Sequence, residues 1–366
     1  MIPTGMPASQ NHTTYTPNRR GYESTPIPEL YSFKHMKTIL ITGAGGYIGS
    51  KMVEYFLDKK YSVIALDKYF FGDTLKDLKG NKNLKIVKDD IRYFEKTLLK
   101  GVDCVIDLAS ISNDPSSELL PTITQDINKN GAIRIAKVAK EMGVKKFIFS
   151  SSCSIYGAGE GILTENSRLA PISTYAKCKI AAEESIIKLA DENFCVTFLR
   201  NATVYGLSKR RMRFDLIINI MTLNAWKNNK ISILGQGNQW RPLIHVNDVI
   251  RAFELVLEEQ DTQKINKQAF NVGSNEQNYQ VYQVADRFKK LFPNVNIEAK
   301  QDNPDPRSYH VNFDKIRKTL NFFTTKTIDD GILEIKEALE TSSITDDITT
   351  RTVEYYKQLI SAGQEF

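Results

Sequence analysis

From residue 38 onward, short apolar runs alternate with amphipathic stretches. Thr38-Ile39-Leu40-Ile41, Ser62-Val63-Ile64-Ala65-Leu66, Leu84-Lys85-Ile86-Val87, Val102 to Ala109 and Lys146-Phe147-Ile148-Phe149-Ser150 read as five strands. Met52, Val53, Phe56 and Leu57 are spaced as one helical face. Pro121 to Met142 carries a broad apolar face through Ile123, Ile127, Ile133, Ile135, Ala136, Val138 and Ala139, and another helix opens at Ser173 and runs to about Ala190. This alternation predicts an α/β fold, a doubly wound parallel sheet with helices on both faces. Residues 36–205 are expected to supply most of that sheet. Residues 206–345 are expected mainly to build a smaller C-terminal lobe, with some segments returning to the sheet, and Val353, Tyr356, Leu359 and Ile360 predict a last helix within 346–366.

Residues 1–35 break the pattern. They hold five of the twelve prolines, many Ser, Thr and Asn, and no apolar segment behind a basic start, so they read as a flexible leader rather than a signal peptide or membrane anchor. No run of eighteen apolar residues occurs in the 366, and 41% hydrophobic with 25% charged residues is ordinary for a soluble globular chain, for which the cytoplasm is the expected location. The net charge of +6 comes from scattered residues. Only Lys209-Arg210-Arg211-Met212-Arg213 is dense, and it reads as a solvated or phosphate-facing loop rather than a nucleic-acid surface. Cys104, Cys153, Cys178 and Cys195 form no CxxC pair and fit buried free thiols in a reducing compartment. His12, His35, His245 and His310 are too far apart to suggest a ligand pair, and no metal site is readable.

Candidate chemistry enters at Thr42-Gly43-Ala44-Gly45-Gly46-Tyr47-Ile48-Gly49-Ser50, between the first strand and the first helix. Glycines at 43, 46 and 49 let main-chain N–H groups approach a pyrophosphate at a helix N-terminus, although the same spacing also serves a plain tight turn. Asp67, at the end of the second strand, stands where a carboxylate grips a ribose 2′-hydroxyl and repels a 2′-phosphate, which favours NAD over NADP. Tyr175 and Lys179 are four apart on one helical face. An ammonium there, together with a cationic nicotinamide ring, would favour the phenolate and make the tyrosine a general base, although YxxxK also arises on surface helices without function.

Taken together, the glycine loop, Asp67, Asp90-Ile91, the serine-rich strand end Ser150 to Ser154 and Tyr175-xxx-Lys179 stand in an order and spacing that resembles the extended short-chain dehydrogenase/reductases. Within them the chain is similar to the nucleotide-sugar epimerase/dehydratase family, over roughly residues 36–340. The resemblance implies a Rossmann-type NAD-binding domain with a smaller substrate-binding lobe. It implies that Gly43, Gly46, Tyr47 and Ile48 hold the NAD pyrophosphate, Asp67 the adenosine ribose, and Asp90 and Ile91 the adenine. Leu108, Ala109 and Ser110 would line the nicotinamide side, with Asp107 where the family usually has histidine, and Asn128 would brace the active-site serine. Ser152 takes the position of the catalytic Ser/Thr, Tyr175 that of the base or acid, and Lys179 that of its activator and ribose ligand. Asn201 lies in the strand at the nicotinamide and substrate, Thr203 replaces an asparagine near the nucleotide phosphates, and Asn219 is a candidate substrate contact. Arg241 and Arg307 match two arginines that clamp a diphosphate, a role suited to a forked cation, though either also suits a structural ion pair. His245 reads as a structural brace.

The resemblance therefore implies an NAD-dependent enzyme acting on a nucleoside-diphosphate sugar, packed as a homodimer through the helices at 121–142 and 173–190. The 4,6-dehydratases of the family carry Asp-Glu directly after the catalytic Ser/Thr, where this chain has Cys153-Ser154, so elimination lacks its acid and base. Epimerisation at C4 through a transient 4-keto sugar is the expectation, with a 4-dehydrogenase or ketoreductase as the alternative. A protein that kept the fold for nucleotide binding or RNA association and lost the chemistry is the reading from another class.

Overall fold

The computed structural model describes Met1 and residues 37–300 and 307–366. The leader expected over residues 1–35 lies, Met1 apart, outside the described residues. The strands in chain order are β1 (Thr38–Thr42), β2 (Ser62–Asp67), β3 (Leu84–Lys88), β4 (Cys104–Asp107), β5 (Lys146–Ser152), β6 (Ala158–Leu163), β7 (Cys195–Asn201), β8 (Thr203–Tyr205), β9 (Lys230–Leu234), β10 (Trp240–His245), β11 (Gln268–Val272), β12 (Asn278–Gln280), β13 (Asn296–Lys300) and β14 (Ser308–Val311). Seven of them form one parallel sheet in the order β11-β7-β5-β4-β1-β2-β3.

The strands are nearly continuous in apolar residues because helices cover both faces of the sheet. Ile39, Ile41 and Ile148 point into one core, while Leu40, Phe147 and Phe149 point into the other. The strand order reverses between β1 and β4, the place where such sheets open a crevice beyond the carboxyl ends of their strands.

A third core gathers Tyr205, Ile218, Met221, Leu243, Val284, Phe288 and Ile332 beneath short pairings built from later segments. These are β12-β10-β8, with β10 antiparallel to β12, and the parallel pair β13-β9. By contrast β11 returns to the edge of the main sheet, and the helix Val246–Glu258 packs its apolar face into one of that sheet's cores.

The stretch expected as one helix over 121–142 is interrupted. A helix over Pro121–Gln125 passes through a π-helical turn, Asp126–Gly131, into a helix over Ala132–Glu141. The turn coincides with two close demands: the Asn128 amide bonds both the N–H and the C=O of Ile111, and Gly131 packs so near Ile91 that a Cβ would come within 2.7 Å of its Cδ1. Such π-turns are rare and favour functional surroundings.

Candidate active site

The carboxyl ends of β1, β2, β4, β5 and β7 open on a cavity of about 620 Å³. Every residue predicted for the site lines it except Asn128 and Asn219. One end is built by the glycine turn. Gly43 follows β1 at φ +63°, and a Cβ there would lie 2.9 Å from the Ala109 nitrogen, so the turn needs glycine. The helix Tyr47–Asp58 starts with Gly46 as its N-cap and no capping side chain, leaving its first N–H groups to the cavity.

Asp67 is oriented by two backbone N–H groups, Gly45 at 2.9 Å and Tyr69 at 2.6 Å. Burial pushes its carboxyl up, and those two donors oppose the rise. Burial also resists ionisation of Asp90, but the Arg92 guanidinium, 2.8 Å away, outweighs it and holds that carboxyl below its usual range. At this end a dinucleotide fits the residues present: an uncapped helix start, glycine where a side chain would clash, and a fixed carboxylate at the end of β2. Farther in, the buried Oδ1 of Asn201 has no hydrogen-bond partner in the protein.

The middle of the cavity holds Ser152, Tyr175 and Lys179. Ser152 ends β5, and its Oγ accepts the Ser154 N–H at 3.1 Å, starting the turn Cys153–Tyr156. The Ser152 hydroxyl acts on the Tyr175 phenol and eases its ionisation. Ser173 caps the helix that carries Tyr175 and Lys179, its Oγ accepting from the Ala176 N–H at 3.1 Å. Lys179 is 2% exposed; its Nζ donates to the Ser150 carbonyl at 2.7 Å and lies 5.6 Å from the centre of the Tyr175 ring.

The phenolate expected from the Tyr-Lys spacing is not what the protein alone favours. Burial pushes the Tyr175 hydroxyl up, the Asp114 charge adds to the rise, and the Ser152 hydroxyl and Arg213 only oppose it. Burial likewise pulls the Lys179 ammonium down to about 8, with Asp107 acting the other way. Asp107, in the place of the family's histidine, is itself buried and accepts from Thr42 Oγ1 at 2.5 Å; that hydroxyl in turn takes the Leu108 and Ala109 N–H groups at 3.1 and 3.0 Å.

The far wall comes from the later segments. Asp114 accepts hydrogen bonds from Ser173 and from Arg307, so Arg307 does make an ion pair while lining the cavity. Arg241 donates to the carbonyls of Trp240, at 2.7 Å, and Arg307, at 2.5 Å, which brings the two expected clamp residues together. Thr203 and Tyr309 both line this wall, and Thr203 acts on the Tyr309 phenol to oppose the rise that burial causes.

Two expectations need correction. Asn128 does not brace Ser152: it is fully buried off the cavity and holds the Ile111 backbone, fixing the loop after β4. Asn219 is also fully buried; it accepts the Gly206 N–H at 3.0 Å and donates to the Arg213 carbonyl at 3.0 Å and the Tyr47 hydroxyl at 3.3 Å, so it fixes the loop that follows β8. Tyr47 turns its hydroxyl to the Gly206 carbonyl at 2.6 Å, which leaves its main chain for the cavity. His245 is a brace, bonded to Glu334 at 2.5 Å and accepting the Asn247 N–H at 3.2 Å. All four cysteines are buried and free, and among the described residues no group of three or more His, Cys, Asp or Glu could hold a metal ion. Among the same residues no helix is long and apolar enough to cross a membrane.

The sequence reading missed part of the wall. The dense basic run, expected as a solvated or phosphate-facing loop, divides: Lys209 is exposed, while Arg211 and Arg213 are buried and line the cavity, Arg213 in a forked pair with Asp215 at 2.9 Å. The last helix, Thr352–Ser361, contributes Thr352, Val353 and Tyr356, and Phe70 and Phe71 line the cavity from the loop after β2. The available signal was the apolar spacing of Val353 and Tyr356, which marks a buried face without naming what it covers.

The model of the NAD dependent epimerase/dehydratase family matches residues 39–273, more than half of the chain. A putative UDP-glucose 4-epimerase of Methanocaldococcus jannaschii is 34% identical over 223 residues, 58% of this chain and 71% of the relative. A human dTDP-D-glucose 4,6-dehydratase is 28% identical over 278 residues, 73% of this chain and 77% of the relative. Among solved structures, a UDP-glucose 4-epimerase of Thermotoga maritima with UDP-glucose superposes with a TM-score of 0.73 at 25% identity, covering 83% of this chain and 99% of the other.

Proposed function

Since the chain belongs to the NAD-dependent epimerase/dehydratase family and its cofactor is NAD, we propose that it is a nucleoside-diphosphate-sugar 4-epimerase working through a transient 4-keto sugar. The observation that carries this reading is the grouping of Ser152, Tyr175 and Lys179 on one cavity wall with no acid-base pair behind Ser152. Cys153, which follows Ser152, is buried, its thiol pushed well up by that burial, and it donates to the Arg200 carbonyl at 3.2 Å. Ser154 is an alcohol with no carboxyl group to give or take a proton at neutral pH. Water loss from the neighbouring carbons therefore has no acid and base at this position.

NAD, when bound, supplies a reversible hydride acceptor. The chain's own groups handle the proton and the geometry. Tyr175 Oη takes the proton of the C4 hydroxyl as the carbonyl forms and gives it back when the alcohol is restored. Ser152, which acts on the Tyr175 phenol, orients that hydroxyl, and Lys179, its Nζ 5.6 Å from the centre of the Tyr175 ring, steadies the negative charge that Tyr175 takes on. Gly43, Gly46, Tyr47 and Ile48 would hold the cofactor's diphosphate and Asp67 its adenosine ribose. Arg241 and Arg307 would hold the sugar nucleotide's diphosphate, Arg307 exchanging part of its pairing with Asp114 for phosphate. UDP-hexoses are the first substrates to test, since relatives named for UDP-glucose recur.

Removing only the hydroxyl tests the assignment. Tyr175→Phe is expected to lower turnover of UDP-glucose by about 100-fold or more, the scale of a lost general acid-base, while NAD affinity stays within a few-fold. Unchanged turnover would remove Tyr175 from the mechanism.

A further inference from the structure

The three arginines of the basic run meet three different fates. Arg210 points outward and pairs with Glu54 and Asp77, each at 2.7 Å. Arg213 is held by Asp215. Arg211 is 4% exposed, and among the described residues no carboxylate lies within ion-pair distance of it. Its Nε has no hydrogen-bond partner, and its other nitrogens meet only the Met212 carbonyl and, at 3.2 Å, the Thr352 hydroxyl. A buried cation with no carboxylate in contact is costly: burial, followed by the neighbouring Arg213, pulls this guanidinium down to about 10, and the charges of Asp215 and Asp347, which act the other way from beyond ion-pair distance, do not offset it.

Three elements nonetheless fix that cation on the cavity wall. Its guanidinium lies 3.6 Å from the centre of the Phe71 ring, Phe71 packs against Tyr355 and Tyr356 of the last helix at 5.2 and 5.4 Å, and Thr352 of the same helix binds one nitrogen. The loop carrying Arg211 is pinned to the glycine turn, because Ser208 donates to the Tyr47 carbonyl at 2.9 Å. The Arg211 charge acts on Asp67, the carboxylate at the end of β2. Arg241 and Arg307 sit instead beside Asp114, whose charge acts on Tyr175.

We propose that Arg211 is an anion-binding residue for a phosphate in the ADP half of the dinucleotide, and that the C-terminal helix Thr352–Ser361 belongs to the cofactor site as the element that holds it. The inference rests on the reading of this cavity as the NAD site. The unpartnered Nε and the missing contact anion are thereby explained: the anion arrives with the cofactor. An anion on the 2′-hydroxyl is disfavoured by Asp67, which leaves the diphosphate.

Calorimetric titration of the full-length, cofactor-free protein with NAD, NADP, ADP, adenosine and UDP tests this. If the wild type binds neither NAD nor ADP, the reading of the cavity fails and the proposal with it. If it does, Arg211→Met is expected to weaken NAD and ADP by about 10- to 100-fold and leave adenosine and UDP unchanged, without lowering the melting temperature of the cofactor-free protein. Equal weakening of adenosine and ADP would reduce Arg211 to a structural prop. A loss confined to UDP would move the anion to the substrate, and a loss greater for NADP than for NAD would move it to the 2′-position; either overturns the proposal. Arg211→Lys keeps the charge without the fork. Should the methionine variant not fold, weaker ADP with unchanged adenosine in Arg211→Lys supports the proposal, and equal effects on both contradict it.

Discussion

Tyr175 and Lys179 share a helical face, yet burial works against the charged form of both, driving the phenol up and the ammonium down, to about 8. The consequence is testable in the cofactor-free protein. A lysine whose folded pKa is about 8 against an ordinary 10.5 leaves the unfolded chain binding the extra proton between those values, so its effect on stability improves as pH rises through that window. From pH 7 to pH 10.5 the wild type should therefore gain on Lys179→Met by about 3 kcal/mol in urea denaturation. Parallel stability curves for the two proteins would show that Lys179 is not depressed. The spacing of the two residues was legible in the sequence, but their charge states were not, because desolvation depends on what the fold stacks around them. Ser150, Phe149 and Asp107, which surround Lys179, come from β5 and β4, not from its own helix.

At the scale of elements, the parallel strands were legible because burial on both faces leaves uninterrupted apolar runs. The π-turn at Asp126–Gly131 was not, since the contacts it coincides with, Asn128 on Ile111 and Gly131 on Ile91, are made to other segments of the chain. Asn128→Leu is expected to cost about 2–6 kcal/mol in urea denaturation, by stranding both the buried N–H and the C=O of Ile111, and to weaken NAD because Ile111 lines the cavity. A variant as stable as the wild type would show that the turn does not depend on this clamp. Asn219 follows the same logic: in sequence it reads as a polar residue in a substrate loop, while in the fold it is spent on the backbone of Gly206 and Arg213. The last helix was legible as an element, but its partner was not. An amphipathic face states that something is covered, and here Tyr356, Phe71 and Arg211 meet from three separated parts of the chain.

At the scale of the whole molecule, the main sheet with its two cores presents the glycine turn, Asp67, Ser152 and Tyr175 to one cavity, and the segments around the third core close the opposite wall with Arg241 and Arg307. A cofactor that is bound along the sheet and never consumed, facing a sugar held by its diphosphate, is what epimerisation requires; a dehydrogenase or ketoreductase would use the same groups but release the ketone or take it up. The most direct measurement is to incubate the purified protein with UDP-glucose and other nucleoside-diphosphate sugars, following the absorbance of reduced nicotinamide while the sugars are analysed by mass spectrometry and NMR. The expected product is a C4 epimer of unchanged mass, with no accumulation of NADH. A product two hydrogens lighter, formed in step with NADH, would contradict the epimerase reading and make the protein a dehydrogenase.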